Sequence, residues 1–423
     1  MARWILGIFL FVSLAVPQIY PQEDTPVLAS HSAVVMDAAT GTLVYYKNPD
    51  EEIPPASLTK LMTMHLVLRE IAAGKASLDE IITPPRESWA INQPPGSSLM
   101  NLSKGQQVSL RELLLGMAVF SGNDAATAAA LRFAPTVKEF VEMMNREAET
   151  LGLEKTRFVD PAGYWENNLT TAREFAEFCR IYLEAHPESL KDYHSVREFA
   201  YPKAENVAER YRGNPGTRVH RNHNTLLGKV EGVDGFKTGY IPEAGYNIAL
   251  TAERETTRFI AIILGAPAEW GGDRTRDEEG TKLLEWAFAH YKTIRPQISA
   301  PEPVRIWKGK ENYVDIMWSM PLEFTDRRER GEDLSWNLDL DTPLIAPLPA
   351  GSYVGDLVLY DSHGELRSIP MLTVNEIEKG GFFKRLFDSI LLFFRKTGKS
   401  TAPHSNNRAA ISHAQSMPKP ERS

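Results

Sequence analysis

From Ser57 onward, Leu58, Leu61, Met62, His65, Leu66 and Leu68 recur at three- and four-residue spacings, which predicts a helix with one apolar face. Pro54 and Pro55 block a helix upstream, so it begins near Ser57. Before it, HSAVVMDAATGTLVYYKN (31–48) reads as two β-rich runs around a Thr-Gly turn, a hairpin. Residues 109–133 read as two helical segments interrupted at Ser121-Gly122-Asn123, and more helices are predicted at 136–151 and 171–185. Three strand-like runs follow, GVDGFKTGY, YNIALTAE and RFIAIILGA, and a helix over 276–292 closes the region. Strands at both ends of a helical middle predict an α+β fold, an antiparallel sheet packed by a helical cluster.

The pattern then changes twice. After a proline-bearing linker at 295–303, residues 304–374 hold short β-like runs and turn residues, a small β-rich domain. Over 380–396, Phe382, Phe383, Leu386, Phe387, Ile390, Leu391, Phe393 and Phe394 gather on one broad helical face. Lys384, Arg385, Asp388, Arg395 and Lys396 fill the rest. Fifteen helical residues span roughly 22 Å, less than a ~30 Å bilayer core. This predicts a helix lying in the membrane interface, with a core or dimer-packing helix as the alternative. The polar stretch 398–423 is expected to be disordered. At the other end, a basic start and the apolar run 4–16 fit a secretory signal peptide within residues 1–24, of uncertain cleavage site. The expected division is therefore 1–24 signal, 25–297 main domain, 298–375 β-rich domain, 379–397 amphipathic helix and 398–423 tail.

Composition narrows the function. The chain has 423 residues, 43% hydrophobic and 24% charged, as in ordinary globular proteins. A net charge of −8 without a long basic run argues against nucleic acid as a partner. The single cysteine, Cys179, rules out an internal disulfide and a cysteine metal cluster, and reads as a core residue.

Chemistry enters at Lys60. A Ser at a helix start with Glu or Gln three residues on makes a capping box, but here a cation stands where the helix end repels it. The plain reading is a capping serine and a surface lysine. The chemical one is a Ser57 nucleophile with a neutral Lys60 as base. That needs a pKa fall of roughly 3 units, about 4 kcal/mol. A helix end supplies up to about 1 kcal/mol, so burial and a second cation must supply the rest. A second lysine occurs in GVDGFKTGY, where Lys237 and Thr238 suit a carboxylate. Gly239 lets a ligand backbone approach the strand edge. At the helix break, Ser121 is placed to relay a proton, and the Asn123 amide to bind a peptide carbonyl or Lys60.

S-x-x-K, S-x-N and K-T-G thus occur in order on helix, loop and strand, the set found in penicillin-binding proteins and class A β-lactamases. The chain resembles the low-molecular-mass penicillin-binding proteins, serine D-alanyl-D-alanine carboxypeptidases of bacterial cell-wall maturation. The likeness covers roughly 28–396 and rests on PPASLTKLMT, GSSLM, SGNDAATAAA, NHNTLLGKVEGVDGFKTGYIPEAGYNIA and RDEEGTKLLEWAF. It implies an exported protein, periplasmic or on the outer face of the cytoplasmic membrane, that needs no cofactor or metal. Ser57, deprotonated by Lys60, would attack the carbonyl between two terminal D-alanines of a peptidoglycan stem pentapeptide. The oxyanion would lie between the backbone N–H groups of Ser57 and Tyr240, and Ser121 would pass the proton to the leaving D-alanine. Lys237 and Thr238, helped by Arg276, would hold the terminal carboxylate. Penicillins would acylate Ser57 in the same way.

Two positions depart from the resemblance. Tyr240 is larger than the small or imidazole residue expected after K-T-G, and DPAGYWENNLTTARE (160–174) lacks the expected His-Gly-Leu. A DD-endopeptidase acting on cross-links would use the same site. A class A β-lactamase would need E-x-x-L-N, which Glu166-Asn167-Asn168-Leu169 matches until Thr170. A zinc carboxypeptidase would need clustered ligands; His220 and His223 lack a partnering acid and read as surface or packing residues. A non-catalytic wall-binding scaffold would show a lost motif residue, and none is lost.

Overall fold

A computed structural model describes residues 25–267, 271–396, 407–408 and 410–411. The expected signal segment lies outside these residues. The predicted hairpin forms β1 (Ser32–Asp37) and β2 (Leu43–Lys47). The three later runs form β3 (Val233–Ile241), β4 (Gly245–Arg254) and β5 (Thr257–Ala266). Together they make one antiparallel sheet in the order β2-β1-β5-β4-β3. Ser32–Asp37 pairs with Leu264–Phe259, which joins the two ends of the domain.

Alternate residues of each strand serve opposite faces. On one face, Val34, Met36, Ile260 and Ile262 pack against helices α1 (Lys60–Ala72), α2 (Leu110–Leu115), α3 (Asn123–Phe133), α4 (Val137–Thr150) and α5 (Ala172–Ala185). On the other, Ala33, Val35, Ala261 and Ile263 pack against Leu283, Leu284 and Ala287 of α6 (Gly272–His290). Because both faces are covered, the central β5 reads as the continuous apolar run FIAIIL. The α6 helix starts four residues before the predicted Arg276, through the polar turn Gly272–Thr275, and ends at His290 where the chain turns into a strand.

That strand, Tyr291–Ile294, pairs with Phe324–Arg327 and leads into the β-rich region. Its core holds Ile306, Val314, Leu357, Leu359, Ile369 and Met371. Buried Asp37 of β1 ties the two regions together, accepting hydrogen bonds from Thr293 Oγ1 (2.7 Å) and Thr325 Oγ1 (2.8 Å). Helix α7 (Phe382–Lys396) follows as predicted, docked by its polar side. Asp388 is buried, accepts the Lys308 N–H at 2.6 Å and pairs with Lys384 at 3.2 Å. Its apolar side faces outward: Phe382, Phe383, Leu386, Phe387, Ile390, Leu391, Phe393 and Phe394 are all exposed.

The tail departs from expectation at its described residues. Asn407–Arg408 pairs with Ser335–Trp336, and Ala410–Ile411 with Pro296–Gln297. Open strand edges offer backbone N–H and C=O groups that an extended segment satisfies whatever its side chains.

Candidate active site

The nucleophile turn begins with Ala56, held at φ 50°, and runs as a 3₁₀ turn over Ala56–Thr59 into α1. No side chain caps this helix start. The capping reading of Ser57 therefore fails; Lys60 Nζ instead lies 2.8 Å from Ser57 Oγ, one turn away, the contact the chemical reading requires. Lys60 is fully buried and also donates to the Ala162 carbonyl at 2.7 Å. Burial brings its pKa down to about 7, against the opposing charges of Asp160 and Asp124. This corrects one expectation: the charges weighing most on Lys60 are carboxylates, and burial overcomes them.

The second lysine does belong to the site. Lys237 is buried, its Nζ donates to the Thr238 carbonyl at 2.9 Å, and its pKa is held well below the usual value by burial, then by Lys60 and Arg276. Lys60 and Lys237 therefore disfavour each other's ammonium form. Arg276 of α6 is buried, with Nε and Nη2 on Asp277 Oδ1 at 2.8 and 2.7 Å. Converging cations in a low-dielectric pocket favour an anionic ligand.

Gly239 also meets the Ser57 turn. A Cβ there would come 2.9 Å from the Pro55 carbonyl oxygen and 3.0 Å from the Ser57 nitrogen. The glycine lets β3 press directly on the nucleophile turn. Asn247 of β4 reinforces the contact, its Nδ2 donating to the Pro54 carbonyl at 2.9 Å. Tyr240 follows and fits because its ring stacks on Tyr246, its cross-strand partner, with centroids 4.3 Å apart.

The helix break is a π turn over Gly116–Phe120 that ends at Ser121, buried and held at φ 58°. Asn123 opens α3, and its Nδ2 donates to Ser97 Oγ at 3.0 Å. Among the described residues no hydrogen bond joins Asn123 to Lys60. Asp124 ties the same loop down, accepting the N–H groups of Met100 (2.8 Å) and Leu102 (2.9 Å).

Sequence reasoning missed Asp124 and Asp160. Both spend their carboxylates mainly on backbone N–H groups, with Asn168 Nδ2 as the one side-chain donor to Asp160, so no charged partner marks them; the Asp-Pro turn signal at 160–161 is the one pointer to a special loop. The lactamase candidate Glu166 is exposed, and the buried acid of its loop is Asp160. His220 stacks on Phe120 at 4.1 Å. His223 is exposed, and desolvation of its ring together with the charges of Lys237, Arg276 and Lys60 pushes its pKa down to about 4.

Residues 20–268 match the family described as D-alanyl-D-alanine carboxypeptidase, and residues 291–379 match the C-terminal domain of penicillin-binding protein 5. The D-alanyl-D-alanine carboxypeptidase DacC of Escherichia coli is 31% identical over 398 residues, 91% of this chain and 94% of that one. Penicillin-binding protein 5 from Haemophilus influenzae has a TM-score of 0.74 at 29% identity, over 85% of this chain and 100% of the other. Penicillin-binding protein D2 from Listeria monocytogenes, solved in its cefotaxime-bound form, has a TM-score of 0.54 at 30% identity, over 63% of this chain and 100% of its own. By sequence, by fold and by the serine–lysine pair at its centre, the chain belongs to the D-alanyl-D-alanine carboxypeptidase family and is a serine-type carboxypeptidase.

Proposed function

We propose that residues 25–297 form the catalytic domain and remove the terminal D-alanine from peptidoglycan stem pentapeptides. The observation that carries this reading is the buried Lys60 amine, poised near pH 7, 2.8 Å from Ser57 Oγ. Half of the Lys60 amines are neutral at that pH, so the base is ready without a second activating group. Lys60 takes the Ser57 proton as Oγ attacks the carbonyl. The contact of Gly239 with Pro55 and Ser57 supports an oxyanion hole made by the N–H groups of Ser57 and Tyr240. One such donor typically contributes about 3 kcal/mol. Lys237, Thr238 and Arg276 bind the terminal carboxylate. The Asn123 amide binds a peptide carbonyl of the acyl side. Ser121 passes the proton to the leaving D-alanine, and water then hydrolyses the acyl-enzyme. A β-lactam amide presents a similar carbonyl and carboxylate, so it acylates Ser57.

Residues 298–375 form a separate β-rich domain, and α7 anchors the protein to the outer face of the cytoplasmic membrane. Among the described residues no helix is long and apolar enough to cross a membrane. The outward apolar face of α7, with Phe382, Phe383, Leu386, Phe387, Ile390, Leu391 and Phe394, suits an interfacial position instead.

The test is release of D-alanine from a stem pentapeptide by the parent and by Ser57→Ala, beside labelling by a fluorescent penicillin. Release and labelling by the parent, with both lost in the variant, are expected. Labelling without release overturns the carboxypeptidase step and leaves a cross-link endopeptidase or a poorly turning-over binder. Release that survives Ser57→Ala overturns the nucleophile.

A further inference from the structure

We propose that Asp160 is a positioning residue of the reaction: its buried carboxylate folds the 160–168 loop so that the Ala162 carbonyl fixes the Lys60 amine on Ser57. The inference rests on the serine–lysine reading above. Asp160 Oδ1 accepts the N–H groups of Ala162 (2.7 Å) and Gly163 (2.6 Å), and Oδ2 those of Tyr164 (3.1 Å) and Trp165 (3.1 Å). Asn168 Nδ2 adds a fifth donor at 2.8 Å. Among the described residues, no lysine or arginine forms an ion pair with Asp160. Such a nest needs an acceptor on both oxygens, which a carboxylate provides and an amide does not.

The loop is braced from outside at two points. Thr63 Oγ1 of α1 donates to the Pro161 carbonyl at 2.6 Å. Gly163, at φ 74°, sits so close to Ala56 that a Cβ would overlap its carbonyl group. The loop therefore meets the nucleophile turn from one side while Gly239 meets it from the other. Between them the Ala162 carbonyl accepts one Lys60 proton at 2.7 Å. A neutral amine has two N–H bonds and one lone pair. Holding one N–H on Ala162 restricts where the lone pair points and favours the Ser57 hydroxyl.

Asp160 has a second, electrostatic effect that separates this role from a merely structural one. The groups that act on Lys60 or feel its charge are Asp160 of the loop, Asp124 of α3, Lys237 of β3 and His223. The Asp160 charge favours the Lys60 ammonium. Removing it favours the neutral base and moves the acid limb of the reaction to lower pH. Opening the loop to water does the reverse, because it restores hydration of the ammonium.

The experiment follows the rate of acylation by a fluorescent penicillin between pH 5.5 and 9, in the full-length parent, Asp160→Asn and Asn168→Ala. In Asp160→Asn the plateau rate is expected to fall on the order of 10- to 100-fold through misplacement of the base, with the acid-limb midpoint below that of the parent. Asn168→Ala keeps the charge, so a smaller plateau loss at an unmoved midpoint is expected. An unchanged plateau in Asp160→Asn overturns the proposal. So does a midpoint that rises toward ordinary lysine, which would mean only that water has entered. If Asp160→Asn does not fold, Asn168→Ala decides: a parental plateau overturns the proposal and a reduced one at an unmoved midpoint supports it. A parent without an acid limb, or labelling that survives Ser57→Ala, would instead defeat the serine–lysine assignment itself.

Discussion

Lys60→Met is expected to abolish activity and yet stabilise the protein near neutral pH, by an amount that shrinks as pH rises. Lys60 is fully buried, and its pKa falls from 10.5 to about 7 on folding. In the unfolded chain the lysine keeps its proton up to its ordinary pKa, so from about 7 to 10.5 the unfolded state binds more protons. Stability therefore rises with pH across that window, by about 1.4 kcal/mol per unit. Below pH 7 the penalty is at its full value, about 5 kcal/mol. Methionine fills a similar volume without charge but gives up the hydrogen bonds to Ala162 and Ser57, a loss of about 2–3 kcal/mol. The net gain is about 2 kcal/mol at pH 7 and passes through zero near pH 9. The assay is the thermal midpoint of both proteins from pH 6 to 9.5, read as a difference so that other titrations cancel. A difference that stays flat with pH, or a variant less stable throughout, would show that burial does not set the Lys60 pKa.

Gly239→Ala should cut the acylation rate by about 10- to 100-fold with little loss of stability, because the new methyl displaces β3 from Ser57 N and Pro55 O; stopped-flow penicillin binding beside a thermal melt checks both. Arg276→Ala should raise KM for a free-carboxylate peptide by roughly tenfold, the order of one charge-assisted contact, and leave an amidated peptide unaffected. Phe383→Glu with Phe387→Glu should abolish sedimentation with anionic lipid vesicles at unchanged D-alanine release, since both side chains are exposed on α7 and remote in sequence from the site motifs.

The Ser57–Lys60 contact was legible because Lys60 breaks a local rule that the sequence displays: a cation at a helix start. The sheet was legible because its strands carry apolar runs between turn residues, as FIAIIL does in β5. What stayed hidden depends on partners without side-chain identity. Asp160 and Asp124 bond to backbone N–H groups, which every residue but proline carries. The contact of Gly239 with Pro55 and Ser57 was hidden, because a glycine signals close approach without saying to what. The tail pairing was hidden because open strand edges accept an extended segment by its backbone.

The site gathers features that oppose folding. Ala56 and Ser121 hold left-handed backbone at φ 50° and 58°, each costing about 1–2 kcal/mol. Lys60 and Lys237 are buried with pKa values displaced downward by burial. A flexible scaffold would relax all four by letting water in. Here Ala56 is clamped between Gly163 and Gly239, Lys60 by the Ala162 carbonyl, Lys237 by the Thr238 carbonyl, and the Pro54 carbonyl by Asn247 of β4. Relaxing Ala56 means parting β3 from the Ser57 turn, which would also open the proposed oxyanion site. The same contacts that keep Lys60 dry would therefore also hold the proposed oxyanion site, the Ser57 and Tyr240 N–H groups, in place. A variant that wets the site is expected to lose base strength and oxyanion binding as one event, so Gly239→Ala should lower the acylation plateau and raise the acid-limb midpoint together.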